Sequence, residues 1–204
     1  MERQFIMYMT MNNAIRQHEQ VFRNIEKDDL VSHKITEASL IVETAIIGGK
    51  AVFLCGNGGS AADAQHIATE FVSRFYKERR AINAEALTTN TSSLTAIAND
   101  YDFDRIFERQ LEAKGKLGDV LIGFTTSGTS GNVIRAMEYA AKHGIHTILL
   151  TGNKPNEYDS SIYECVIKVP SDDTPRIQEA HIFIGHVIAE YVEAKIVEDE
   201  MTRG

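Results

Sequence analysis

Four side chains in two short stretches stand out as able to do chemistry together. In the stretch His66-Ile67-Ala68-Thr69-Glu70, His66 and Glu70 are four residues apart, so a helix would place them on one face, a turn apart. In the stretch Gln178-Glu179-Ala180-His181 and on to His186, Gln178 and His186 are separated by about two helical turns and share roughly one face. A carboxylate and an imidazole are a natural acid/base pair for moving a proton between adjacent carbons, as an aldose–ketose interconversion through an enediol requires. The same set, His66, Glu70, Gln178 and His186, also fits a zinc site, with His and Glu as good ligands and Gln as a weak one. A plainer reading competes with both: histidines at helical spacing on a largely apolar helix are often hydrogen-bonded core residues.

Two loops add a second kind of chemistry. The first is Gly56-Asn57-Gly58-Gly59-Ser60, whose glycines let backbone approach a ligand closely. The second is Thr125-Thr126-Ser127-Gly128-Thr129-Ser130-Gly131, with five hydroxyls and two glycines. Each loop follows an apolar run and precedes a helical pattern, so helix N-terminal amides point into the same space. Either loop alone also reads as plain turn residues. Together they fit a phosphate monoester held by neutral donors. Gly56-x-Gly58-x-x-Ala61 matches a variant of the dinucleotide fingerprint, but the next strand ends Leu87-Thr88-Thr89-Asn90 with no carboxylate for a ribose, and no Walker lysine is present. No nucleotide cofactor is expected.

The elements that must position these groups alternate. Apolar runs at 51–55, 119–124, 146–150 and 164–169 read as buried strands, with 83–87 a weaker one. Helical patterns cover about 10–26, 30–47, 61–75, 132–143 and 174–197, the last with Thr174 as N-cap and Pro175 at the first helical position. That order gives an α/β chain with a parallel sheet covered on both faces. Ligands then belong at the carboxyl ends of the strands, where both loops lie. The helix from 174 is apolar nearly all round in its middle, so it is expected to be buried, partly against another subunit.

Composition narrows the function classes. The 204 residues are 43% hydrophobic and 25% charged, with formal net charge -8, which disfavours a nucleic-acid surface. No apolar run reaches membrane-spanning length, and Met1–Asn12 carries both charge signs, so no signal peptide is expected. The two cysteines, Cys55 and Cys165, sit in apolar runs and are expected to be buried, reduced thiols of a cytoplasmic protein. One domain spanning 1–204 is expected, with no linker or composition shift.

The run Cys55-Gly56-Asn57-Gly58-Gly59-Ser60-Ala61-Ala62-Asp63-Ala64-Gln65-His66, then Glu70, Asn99-Asp100, Thr126-Ser127-Gly128-x-Ser130 and Arg176-Ile177-Gln178-Glu179-x-His181, resembles the phosphoheptose isomerase family in order and spacing. The resemblance extends from about residue 28 to 197. It implies the SIS (sugar isomerase) fold, a five-stranded parallel sheet flanked by helices in a flavodoxin-like three-layer sandwich. It also implies a homotetramer with active sites at subunit interfaces. The implied reaction converts sedoheptulose 7-phosphate to D-glycero-D-manno-heptose 7-phosphate, the first step towards bacterial nucleotide-activated heptose for lipopolysaccharide, capsule or S-layer.

By position, the resemblance implies that Ser60, Thr125, Thr126, Ser127 and Ser130 hold the phosphate. Asn57, Gly58, Gly59, Asn99, Asp100 and Gln178 line the sugar site, with Glu70 and His186 as acid and base. It further implies about one zinc per chain on His66, Glu70, Gln178 and His186, a role that competes with free proton transfer by Glu70 and His186. A non-catalytic regulator on the same fold, binding a sugar phosphate or a protein, is the alternative. One such relative lacks the carboxylate and the second imidazole at the positions of Glu70 and His186, and this chain keeps both. Two departures remain: Pro175 stands where some members carry Asp, and the ends, 1–27 and 198–204, look longer than usual.

Overall fold

A computed structural model of the chain describes residues 2–203, so Met1 and Gly204 at the ends of the expected unit lie outside the described residues. Two helices come first, α1 (Glu2–Lys27) and α2 (Asp29–Ile47). Asp28 separates them by capping α2, its carboxylate accepting from the amides of Leu30 and Val31 at 3.0 and 3.2 Å. Then follow β1 (Val52–Gly56), α3 (Gly59–Val72), β2 (Ala84–Ala86) and α4 (Thr91–Asp100). A 3₁₀ turn at Phe103–Arg105 leads to α5 (Glu108–Lys114), β3 (Val120–Thr125) and α6 (Gly131–Lys142). The chain closes with β4 (His146–Thr151), β5 (Cys165–Lys168) and α7 (Thr174–Arg203).

The five strands form one parallel sheet in the order β2-β1-β3-β4-β5. Alternate side chains of each strand feed two separate apolar layers. Val52, Leu54, Val120, Ile122, Ile148 and Leu150 pack with α2, α3 and α7. Phe53, Cys55, Leu121 and Leu149 pack with α5 and α6. Burial on both faces explains the unbroken apolar runs in the sequence. Winding reverses between β1 and β3, so the loops that leave these neighbours open side by side at the carboxyl edge.

Several expected boundaries shift. α1 starts at Glu2 rather than near residue 10, and α7 continues past 197 to Arg203. Residues 198–203 are largely polar, and the apolar run at 5–9 in α1 is continuous and exposed, with no helical period to read. α3 ends at Val72 rather than 75, because Arg79 and Glu193 take over the backbone groups beyond it. α7 starts one residue earlier than a Thr174 cap would have it, Ile177 donating its amide to the carbonyl of Asp173 at 2.9 Å. Helices α4 and α5 were not expected at all: neither has a clear apolar period, and α4 buries none of its residues. Both cysteines are buried free thiols, with burial pushing each up to about 12. No helix among the described residues is long and apolar enough to cross a membrane.

Candidate active site

The first loop is shaped around glycine. Gly58 has φ +57° and ψ -120°, a backbone state open to few other residues. A Cβ on Gly59 would lie 2.3 Å from Nε2 of Gln178, so the α7 side chain rests directly on this backbone. Ser60 is buried at the first turn of α3. Across the sheet's switch point, Asn57 and Asn132 exchange two amide hydrogen bonds of 2.8 Å, which tie the first loop to the start of α6.

The second loop is a chain of hydroxyls. Thr125 Oγ1 is 2.9 Å from Ser130 Oγ and accepts from the Gly128 amide at 3.2 Å. Ser127 Oγ is 2.9 Å from Thr129 Oγ1. Asn156 buttresses the loop from below, donating to the Ser127 carbonyl at 2.9 Å. The caps are informative. α2 and α4 are capped by the side chains of Asp28 and Asn90, but α3 and α6, which follow these two loops, have no side-chain cap. Ser130 stands at the N-cap of α6 and turns its hydroxyl to Thr125 instead. Both helices therefore keep first-turn amides available to an anion.

The second half of α3 lies beside α7. Gln178 meets Gly59, Gly185 faces Ile67 closely, and His186 meets His66, so the two helices run side by side in the same direction. His66 Nε2 is 2.7 Å from His186 Nε2 and 3.5 Å from Glu70 Oε1. One ligand atom from each of His66, Glu70 and His186 falls within 4.8 Å of the others. His186 is pulled below the usual imidazole range by burial and then by His66, with Glu70 working against both. Its neutral form is the one that can accept a proton or bind a metal.

Not every expected residue joins this group. Gln178 sits at the loop end of the α3–α7 seam, against Gly59. Asn99 and Asp100 are exposed at the end of α4 and bonded to each other at 2.8 Å; no described hydrogen bond links them to either loop or to the seam. Other residues enter without having been picked out. Asp63 is buried one turn before His66 on the same face of α3, with Oδ2 unpartnered. Burial pushes its carboxyl up to about 6, partly offset by His66. Its i,i+3 spacing to His66 was the available signal. Asn132 and Asn156 carried none, since each acts through a contact distant in sequence.

Two Gly/hydroxyl-rich loops thus open at a parallel-sheet switch point, each leading into a helix without a side-chain cap, and a His/Glu/His trio lies on the α3–α7 seam. Comparison with known proteins decides the family. Residues 15–152 match the SIS domain family. The chain is 49% identical over 183 residues to a phosphoheptose isomerase of a Nitratiruptor species, covering 90% of this chain and 96% of that one. It is 52% identical over 172 residues to the one from Clostridium acetobutylicum, covering 84% and 87%.

The chain belongs to the phosphoheptose isomerase family.

The solved phosphoheptose isomerase of Neisseria gonorrhoeae superposes with a TM-score of 0.84 at 34% identity, covering 92% of this chain and 99% of that one. Like its family, the protein is an isomerase on the SIS fold, as the resemblance of its motifs implied.

Proposed function

We propose that the protein converts sedoheptulose 7-phosphate to D-glycero-D-manno-heptose 7-phosphate, with Glu70 and His186 moving the protons. The observation that carries this reading is the convergence of Glu70, His66 and His186 beside two uncapped helix N-termini. The phosphate is held by the hydroxyls of Ser60, Thr125, Thr126, Ser127 and Ser130 and by the amides of α3 and α6. The sugar extends from there along the seam, past Asn57, Gly58, Gly59 and Gln178. Asn99 and Asp100 belong to the sugar site in this reading, reaching it in the assembled oligomer.

The proton balance is simple. A base takes a proton from C1 of the ketose while the C2 carbonyl oxygen gains one, giving the 1,2-enediol. Return of a proton to C2 and loss of one from the C1 hydroxyl gives the aldehyde. The phosphate ester is untouched. Purified protein given sedoheptulose 7-phosphate should therefore form the aldose, seen by NMR, without releasing inorganic phosphate. Phosphate release would point to a hydrolase, and no turnover by folded, ligand-binding protein to a binding module.

The donor set fits zinc. Two imidazole nitrogens on a tetrahedral zinc stand about 3.3 Å apart, given Zn–N of about 2.0–2.1 Å, so a small opening of the His66–His186 pair admits the ion. His66, Glu70 and His186 would hold it, whereas Gln178, resting on Gly59 at the loop end of the seam, is not positioned as its fourth ligand within the chain. Bound there, it would polarise the substrate oxygens. Protein purified without chelator should contain about one zinc per chain, and chelation should lower activity that zinc restores. Full activity in metal-free protein would leave Glu70 and His186 as plain proton carriers.

The reading includes one domain and a cytoplasmic homotetramer with the seam at subunit boundaries. A groove of about 780 Å³ between α1, α2 and α7, with Phe22, Ile25, Ile35, Phe183 and Val187 in its lining, supports the assembly. So does the exposed apolar run Phe5, Ile6, Met7, Tyr8 and Met9 on α1.

A further inference from the structure

Beyond the trio, one buried ion pair takes no part in the proton transfers. Glu193 on α7 and Arg79 have side chains only 2% and 1% exposed, and Arg79 Nε lies 3.5 Å from Glu193 Oε1. Burying such a pair is costly, and apolar residues would usually serve a core as well. Its hydrogen bonds show where it acts. Glu193 Oε1 accepts from the Phe75 amide at 2.7 Å, and Oε2 accepts from the amides of Tyr76 and Lys77 at 2.6 and 2.7 Å. These amides belong to residues 73–83, which have no helix or strand of their own to satisfy them. Burial disfavours the Glu193 carboxylate, but the three amides and Arg79 outweigh it and hold the group below the usual range.

Arg79 works on the other side of the same segment. Its guanidinium donates to the carbonyls of Glu70 at 2.7 Å, Phe71 at 2.9 Å and Ser73 at 2.8 Å, the open C-terminal end of α3. Both halves of the pair thus lead to the trio. Arg79 grips the backbone of Glu70. Glu193 fixes the backbone of Phe75, whose ring centroid is 5.4 Å from that of His186. Glu193 and His186 are also two turns apart on one helix, so the same face of α7 carries the reacting imidazole and its support.

We propose that Glu193 and Arg79 are positioning residues for the isomerase site: through Phe75 and the end of α3 they hold His186 and Glu70 in mutual register. The proposal rests on the assignment of Glu70 and His186 as the reacting groups.

Phe75 gives the cleanest test, because its ring is only half-buried and its removal spares the pair. In Phe75→Ala, kcat for sedoheptulose 7-phosphate should fall about 10- to 100-fold, as for loss of an outer-shell partner, with KM and melting temperature near wild type. Phe75→Leu should recover part of that loss. Glu193→Gln presents an amide N–H to backbone donors, so it should lower kcat with KM little changed, and it should also lower the melting temperature, because Arg79 is left buried without its counter-charge. It should also show faster hydrogen exchange at the amides of Phe75, Tyr76 and Lys77. If Glu193→Gln fails to fold, Phe75→Ala decides alone. Wild-type kcat in Phe75→Ala, beside an inactive Glu70→Gln control, would overturn the clamp. A fall in kcat that merely tracks loss of folded protein would do the same. Wild-type kcat in both Glu70→Gln and His186→Asn would instead overturn the assignment of the reacting groups, and the clamp's purpose with it.

Discussion

At its first turn, α3 offers backbone amides, a buried Ser60 hydroxyl and no titratable group; two turns later it offers His66 and Glu70 against His186. The first region is finished in advance. It is tied by Asn57 and Asn132 to the loop at 125–131, whose hydroxyls already bond one another, so a phosphate need only replace neutral partners by better ones. The second region is unfinished. Two imidazole nitrogens approach to 2.7 Å, and Asp63 next to them is buried without a partner for Oδ2. Binding calls for preformed donors, whereas proton transfer calls for groups whose protons are not firmly committed. In the proposed function the α3 helix serves both, because its N-terminal end would face the phosphate while its side face meets α7.

The largest effect that separates the two regions is on turnover. Glu70→Gln keeps size and most hydrogen bonding but removes the carboxylate, and kcat should fall on the order of 10²–10⁴-fold with KM little changed. His186→Asn should behave alike. A near-normal kcat in either would erase the distinction. At the loops the signature should invert. Ser130→Ala should mainly raise KM, and removal of Ser60, Ser127 and Ser130 hydroxyls together should come close to abolishing binding. Unphosphorylated sedoheptulose should be a very poor substrate; equal turnover of the free sugar would show that the loops do something else.

The smallest effect sharpens the comparison from beneath. His181 on α7 is fully buried under the loops, near Phe124, and neither ring nitrogen reaches hydrogen-bonding geometry. Burial lowers it to about 4, an approach to the Thr151 backbone offsetting this only in part. The unfolded imidazole titrates near 6.5, so as pH falls from about 6.5 to 4 the unfolded chain gains a proton that folded His181 refuses, and stability is lost. The full effect is at most on the order of 3 kcal/mol. Asp63, raised to about 6, acts oppositely over much of that window, so the contribution must be read as a difference. Melting temperatures of wild type and His181→Gln, followed from pH 7 to pH 4, should converge or cross as wild type loses this term. A constant gap would mean that His181 does not titrate there.

Much of the fold and site was legible in the sequence where a local rule applied. Strands β1, β3, β4 and β5 showed as apolar runs because both sheet faces are covered. The loops at Gly56 and Thr125 showed because glycine and hydroxyls cluster there, and His66 with Glu70 showed through helical spacing. The meeting of His66 with His186 is a contact 120 residues apart that no local pattern encodes. The same holds for Asn57 with Asn132 and for Glu193 with Phe75. Helices α4 and α5 escaped because neither presents an apolar stripe of helical period. Gln178 was correctly placed on the face shared with His186, but its amide rests on Gly59 at the loop end rather than beside the trio.

The most direct measurement is solvent isotope incorporation during turnover of sedoheptulose 7-phosphate in D₂O. Proton transfer through an enediol by Glu70 and His186 predicts an aldose 7-phosphate that carries carbon-bound deuterium at C2, and no such labelling with Glu70→Gln. Aldose formed by Glu70→Gln at the wild-type rate and with wild-type labelling would contradict the account, because the proton would then have moved without that carboxylate.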